Sequence, residues 1–292
     1  MKFILLLDLV LDDDNKLQHF ISRGANKGCG AKTVKIIFLN AHGNLDRKFH
    51  PGSRWSRIVN REKPDLFAIV EHMKKKNDIP SFEGFKLYSI PASSRNKLGR
   101  GSGGVVIGVR EILSPSVSKL NRWHSNVMWI EVGSGEGRHI AVGVVYSRTS
   151  ESKYAHEVDD MYEFLIQSVC ELRVTHDVIV MGDFNARTGQ MVGDTATNEN
   201  GPKFIDFVQA CGLEILNRTH LFGKPTFVVH QKKGTKTSIV DYLLVDSRLA
   251  GVGTTARLIT EDVGSDHRAL VVQVVTKTEL TCFVRSGRGI AG

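Results

Sequence analysis

Eight polar residues of this chain sit in, at or just past apolar runs: Asn40, Glu71, Tyr146, Asp183, Asn185, Asp241, Asp266 and His267. Asp183 and Asn185 follow the run Val178–Gly182 in "VIVMGDFNARTG", where a buried strand should end. Taken singly, each has a plain structural reading. Gly, Asp and Asn are ordinary turn residues. Glu71 could simply open the solvated run "EHMKKKND", and Tyr146 could be a surface tyrosine at a strand end. The recurrence of the pattern is what points to a site. The chemistry these groups could assemble is phosphodiester hydrolysis. Oxygen ligands such as Glu71, Asp266 and an Asn carbonyl suit Mg²⁺, which keeps several waters and bridges to phosphate. A His beside an Asp is an oriented base, because the carboxylate fixes the tautomer and stabilises imidazolium. Asn and Tyr can hold a non-bridging oxygen as charge builds in the transition state.

The elements that must position these residues follow from periodicity. "TVKIIFLN" predicts a strand ending at Asn40, and "LFAIVE" a second closed by Glu71. Between them Trp55, Ile58 and Val59 recur at helical spacing, and Pro64 stops that helix. "VMWIEV" and "HIAVGVVY" predict a hairpin whose second strand ends at Tyr146. Val158, Met161, Tyr162, Leu165, Ile166 and Val169 share one face of a longer helix leading to the Asp183 strand. "PKFIDFVQACG" is a short helix with Pro202 in its first turn and Gly212 after its end. "LEILN", "TFVVH" and "SIVDYLLV" are predicted strands, and Asp241 sits inside the last one, where Asp is disfavoured without a partner. Ser265, Asp266 and His267 form a turn before the final strand. Strands in quick succession with few helices exclude strict βαβ alternation. The expected fold is α/β: two mainly antiparallel sheets packed face to face as a sandwich, with helices on the outer faces. The expected organisation is an N-terminal appendage over 1–31, poorly ordered, a domain over 32–276 and a tail over 277–292.

The chain of 292 residues has 41% apolar content, enough for one large domain or two small ones. Its net charge of +8 favours polyanionic partners. The first 31 residues carry four basic and four acidic side chains, so the positive excess lies after them. Four cysteines far apart, with no C-x-x-C, give neither a zinc pattern nor a disulfide framework and fit a reducing compartment. "MKFILLLDLVLDDD" imitates a signal peptide, but Asp8 breaks the apolar run and three acids follow. No stretch reaches the roughly 18 apolar residues of a membrane span. We therefore expect an intracellular chain, not secreted and not membrane-bound, and read the Asn217-Arg218-Thr219 sequon as chance. "GCGAKT" lacks the required glycine of a phosphate-binding loop at Ala31 and has no helix after it. "GRGSGG" formally matches a dinucleotide fingerprint, but a strand, "VVIGV", follows it instead of a helix.

The segments "FLNAHGN", "DLFAIVE", "GSGGVVIGV", "VVY", "GDFN", "VDYLL" and "GSDH", in this order from Thr33 to about Val275, resemble the endonuclease/exonuclease/phosphatase superfamily. This is the fold of pancreatic DNase and abasic-site endonucleases. "NENGPKFIDFVQACGLEILN", with Thr226-Phe227 and Val240-Asp241-Tyr242, is most similar to the endonuclease domains of non-long-terminal-repeat retrotransposons and their domesticated relatives. The resemblance implies Mg²⁺, with Mn²⁺ able to replace it, held by Glu71, Asn40 and Asp266. It implies that His267, oriented by Asp241, is the base or phosphate contact and that Asp183 positions or activates the attacking water. Asn185 would hold the scissile phosphate and Tyr146 would contact it from the other side. DNA is the implied partner, and the nucleus the matching compartment. Three departures stand out: His42 where abasic-site enzymes carry an Asp, Val70 where Gln is usual, and Arg148 for a common Pro. The first implies a weaker hold on the ion. A lipid or inositol-phosphate phosphodiesterase, or a non-catalytic nucleic-acid-binding relative, is the rival reading; Tyr146 and the basic charge speak against the former.

Overall fold

The computed structural model describes residues 32–75, 79–93, 101–122, 124–133, 136–251 and 253–276. The expected appendage and tail, and the basic cluster Arg95 to Arg100, lie outside the described residues. Two six-stranded sheets face each other. The first contains β1 (Lys32–Asn40), β2 (Leu66–Val70), β3 (Phe85–Ile90), β4 (Val105–Arg110), β13 (Thr255–Leu258) and β14 (Leu270–Thr276), in the order β13-β14-β1-β2-β4-β3. The second contains β5 (Val117–Lys119), β6 (Val127–Val132), β7 (His139–Tyr146), β8 (His176–Asp183), β9 (Leu213–Ile215) and β12 (Asp241–Asp246), in the order β5-β6-β7-β8-β12-β9. A separate hairpin joins β10 (Phe227–Gln231) to β11 (Gly234–Ser238).

Alternation along each strand decides what each face meets. Ile36 and Phe38, Ala68 and Val70, Ile140, Val142 and Val144, Ile179 and Met181, and Leu243 and Val245 form the core between the sheets. The opposite side chains face outward and are covered by helices. Ile37, Leu39, Phe67 and Ile69 pack with α1 (Leu45–Phe49) and α2 (Arg54–Glu62) through Leu45, Trp55, Ile58 and Val59. Trp129, Val178, Val180 and Leu244 pack with α3 (Ala155–Leu172) and α4 (Asn200–Cys211). The result is four layers, helix-sheet-sheet-helix, as expected.

Caps explain where the helices begin and stop. Ser53 Oγ accepts the Ser56 amide at the start of α2, and Lys63, in the left-handed region before Pro64, closes it. Gly212, also left-handed, closes α4. Within the sheets, β1–β2 and β7–β8 are parallel, each pair joined by helices, and the remaining pairings are antiparallel.

Two sequence expectations fail locally. "SIVDYLLV" is not one strand: β11 ends at Ser238, β12 starts at Asp241, and Asp241 is therefore a strand's first residue. Side chains take the amides in between, with Ile239 N donating to Asp194 and Val240 N to Thr226. "LEILN" is a strand only to Ile215, after which α5 (Leu216–His220) begins. Asn217, fully buried there, donates to the Asp241 carbonyl and accepts the Leu243 amide. That burial closes its sequon to glycosylation in the folded chain.

Candidate active site

The four inner stripes that end at the same edge of the sandwich each finish in a polar residue. Asn40 is in phase with Ile36 and Phe38, and Tyr146 with Val142 and Val144; Asp183 is in phase with Ile179 and Met181, and Asp241 with Leu243 and Val245. Asp183 is the register partner of both Tyr146 on β7 and Asp241 on β12. Two parallel pairs, one per sheet, thus deliver their C-terminal ends to one place. Gly182 lets β7 approach closely there, since a Cβ on it would lie 2.2 Å from the Val145 carbonyl oxygen.

Asn40 is the hub. Its Nδ2 donates to Asp183 Oδ2 at 2.8 Å and to Glu71 Oε2 at 3.0 Å, bridging the two sheets. Its Oδ1 accepts the His42 amide at 2.9 Å. Tyr146 Oη donates to the other Glu71 oxygen at 3.1 Å. Asp183 Oδ1 accepts the Asn185 amide at 2.9 Å, and Asn185 Nδ2 donates to the Ser147 carbonyl at 2.9 Å, with a longer 3.4 Å bond to Asp183. His267 Nδ1 faces both oxygens of fully buried Asp241, at 3.1 and 2.9 Å. One ligand atom each from Asp183, Asp241 and His267 lie within 4.8 Å of one another. Both Asp241 oxygens face the imidazole. Asp266 lies at the rim, with its Oδ2 3.3 Å from His42 Nδ1 and both side chains about half exposed.

The backbone is held in unusual shapes at the same spot. His42, Glu71 and Asn185 have φ of 46°, 55° and 46°, in the left-handed region that costs an L-residue about 1 kcal/mol or more. Neighbours hold these turns. Gly43 N donates to the Glu71 carbonyl at 2.8 Å, and Asn198 Nδ2 donates to the Asn185 carbonyl at 2.7 Å. Phe184, between Asp183 and Asn185, anchors the turn under α4 against Phe204, their ring centroids 4.9 Å apart.

Crowding sets the protonation. Burial, then the Asp241 carboxylate, push the Asp183 carboxyl well above its ordinary range, partly offset by His267, Asn185 and Asn40. For His267, burial alone would favour the neutral ring. The charge and hydrogen bond of Asp241, with Asp183 and Glu71 beyond, outweigh it and raise the imidazole to about 9. Burial, then the charges of Glu71 and Asp183, keep the Tyr146 phenol protonated far past its usual range.

Residues 140–271 match a family model described as endonuclease-reverse transcriptase. The endonuclease domain of TRAS1, a telomere-specific non-LTR retrotransposon, superposes with a TM-score of 0.62 at 16% identity, over 82% of this chain and 98% of that one. The AP endonuclease LMAP from Leishmania major gives 0.67 at 16% identity, over 84% of this chain and 88% of that one. At these identities the likeness to both structures is one of fold. No curated protein matches the chain.

Two residues outside the eight candidate site residues brace this site. Thr226 is fully buried, and its Oγ1 accepts the amides of Val240 and Asp241 at 3.1 Å each. Its carbonyl accepts the Arg268 amide at 2.7 Å, so one residue ties the start of β12 to the Ser265-Asp266-His267 turn. Lys48 is buried, donating to the carbonyls of Ala41 at 3.0 Å and Gly264 at 2.9 Å. It staples the loop after β1 to the same turn, and its burial, opposed by Asp262, lowers the ammonium to about 8. A lysine beside Phe49 on the apolar side of α1 was the available signal. Thr226→Val keeps the shape but strands two buried amides. It should destabilise the chain by about 1–3 kcal/mol, and Thr226→Ser should restore most of it. An unchanged urea midpoint for Thr226→Val would remove this role.

Proposed function

We propose that the chain is a Mg²⁺-dependent endonuclease that nicks DNA, with Mn²⁺ able to substitute. The observation that carries this reading is the convergence at one edge of Asn40, Glu71, Tyr146, Asp183 and Asn185 with the buried Asp241–His267 pair. The donors around Glu71 fit a hard cation. They are oxygens, and Glu71, Asp183 and Asp241 concentrate negative charge there against the imidazolium of His267. Glu71 and Asp266 would hold the ion, with the Asn40 side chain between Glu71 and Asp183. When bound, such an ion supplies Lewis-acid polarisation of a phosphoryl oxygen.

The rest is the work of the chain's own groups. Asp183, raised by burial, is suited to accept a proton from the attacking water. His267, kept cationic by Asp241, presents Nε2–H to a phosphate oxygen and opposes the charge that builds there. Asn185 can exchange its long 3.4 Å bond to Asp183 for a bond to a non-bridging oxygen. Tyr146, protonated, donates from the other side.

DNA is favoured over a phospholipid or inositol-phosphate substrate by the charge next to the site. The β10–β11 hairpin bridges to His267 at Phe227, with the two rings 5.0 Å apart, and exposes Lys232, Lys233 and Lys236. The described part of the other basic cluster is less available, since Lys74 pairs with Asp46 at 2.5 Å. Among the described residues, no helix is long and apolar enough to cross a membrane. Affinity for duplex DNA should fall steeply with salt, each lysine on a phosphate adding roughly 0.9 to the slope of log affinity against log salt. Replacing the three hairpin lysines with Gln should lower that slope by up to about 3. Fluorescence anisotropy checks this, and a flat salt response would remove the nucleic-acid reading. Release of phosphocholine from sphingomyelin, or phosphate from inositol phosphates, without nicking of DNA would select the other substrate class.

A further inference from the structure

We propose that Glu131, His139 and His176 form a binding site for one transition-metal ion of the Zn²⁺ class, at the far end of the second sheet from the catalytic cluster. The register puts them together. Glu131 pairs with Ala141, and Ala141 with Val178. Alternation then places Glu131, His139 and His176 on one face, the outer face that also carries Trp129 and Val178. His139 and His176 are themselves register partners, each the first residue of a parallel strand whose last residue is Tyr146 or Asp183. Eight-residue strands put roughly 23 Å between the two ends.

The side chains meet as a ligand set. Glu131 Oε2 lies 2.7 Å from His176 Nε2, and Oε1 lies 3.3 Å from His139 Nδ1. One ligand atom from each of the three lies within 4.8 Å of the others. Two imidazoles and one carboxylate are the donors of zinc-type sites with three protein ligands and an open fourth position, and imidazole is not a ligand Mg²⁺ selects. A second observation concerns the remaining nitrogen of His176. Its Nδ1 sits 2.8 Å from the Thr175 hydroxyl, a partner that can accept a hydrogen bond from Nδ1–H and so leave Nε2 to a metal. The three side chains are 27%, 22% and 11% exposed, sheltered yet open to a water. A surface cavity of about 500 Å³ bordered by Arg122, Glu171 and Thr175 reaches His176. Binding would exchange the proton between His176 Nε2 and Glu131 for the ion.

The test uses the full chain, stripped with chelator and returned to buffer with excess Mg²⁺ to occupy the oxygen-ligand site. Equilibrium dialysis with Zn²⁺ should find one more ion per chain than in the His139→Gln/His176→Gln double variant. Zn²⁺ should also raise the melting temperature of the parent and not of the double variant. Equal stoichiometry, affinity and thermal response in the two proteins would overturn the site. Should the double variant not fold, Glu131→Gln keeps both rings. It should weaken Zn²⁺ binding about tenfold or more, and an unchanged affinity would overturn the site equally.

Discussion

Asp241→Asn should lower the single-turnover nicking rate by roughly 10²–10⁴-fold, with little change in DNA affinity. The carboxylate is fully buried and spends both oxygens on His267 Nδ1. An amide there cannot stabilise imidazolium, and its NH₂ can select the wrong tautomer. If Asp241 only capped a strand, folded protein would keep its rate. His267→Ala should be nearly as damaging, and the double variant little worse than the worse single, because groups acting as a unit are not additive. Independent, multiplicative losses would separate the two residues. A second readout is the ring itself. Without Asp241 the largest contributions that oppose burial are gone, so the His267 titration followed by NMR should move down from about 9. The raised value also has a stability sign. His267's contribution is full below its ordinary 6.5 and fades as pH rises through about 9. Denaturant midpoints of the parent should show that loss across this window, and Asp241→Asn should lack it.

Glu71→Gln should cut nicking at fixed Mg²⁺ and raise the metal concentration needed for half-maximal rate. The shift should exceed the roughly 10–100-fold typical of residues that only orient a ligand. Glu71 follows the end of β2 in a left-handed conformation, with one oxygen taking the Tyr146 hydroxyl and the other the Asn40 amide. Gln has one acceptor for those two donors, and its NH₂ must face one of them. Tyr146 can turn to accept from it, so the packing survives while the charge is lost. Circular dichroism melting should therefore change little. Unchanged metal dependence with reduced rate would give Glu71 another role, and loss of folding would make it structural.

The fold was legible where β1, β2, β4, β7, β8, β12 and β14 carry apolar runs and α2, α3 and α4 an apolar face, and not in β3, β5, β11 and β13, whose sequences are mostly polar or mixed. What escaped was decided by side chains reaching over long separations. Thr226 and Asp194 take amides that would otherwise continue β11 into β12, and Asn217 turns the end of "LEILN" into a helix. No local periodicity records those bonds. The site residues were legible as polar ends of apolar strands, but their connections were not. That Asn40 bridges Glu71 to Asp183 depends on how the two sheets stack, and that Asp266 faces His42 depends on the register of β1 against β14. The Glu131, His139 and His176 cluster was passed over because strand register is likewise not written in local periodicity. His139 and His176 start two strands and Glu131 lies inside a third, and only register brings them within reach.

The central claim is that this edge cluster hydrolyses phosphodiesters of DNA with a divalent ion. Conversion of supercoiled plasmid to open circle by the purified chain, with Mg²⁺ and with excess chelator, tests it most directly. The account predicts open circles with Mg²⁺ or Mn²⁺, and none from the chelated protein. Full nicking in chelator would contradict the metal assignment, and a folded, Mg²⁺-supplied chain that leaves the plasmid supercoiled would contradict the activity itself.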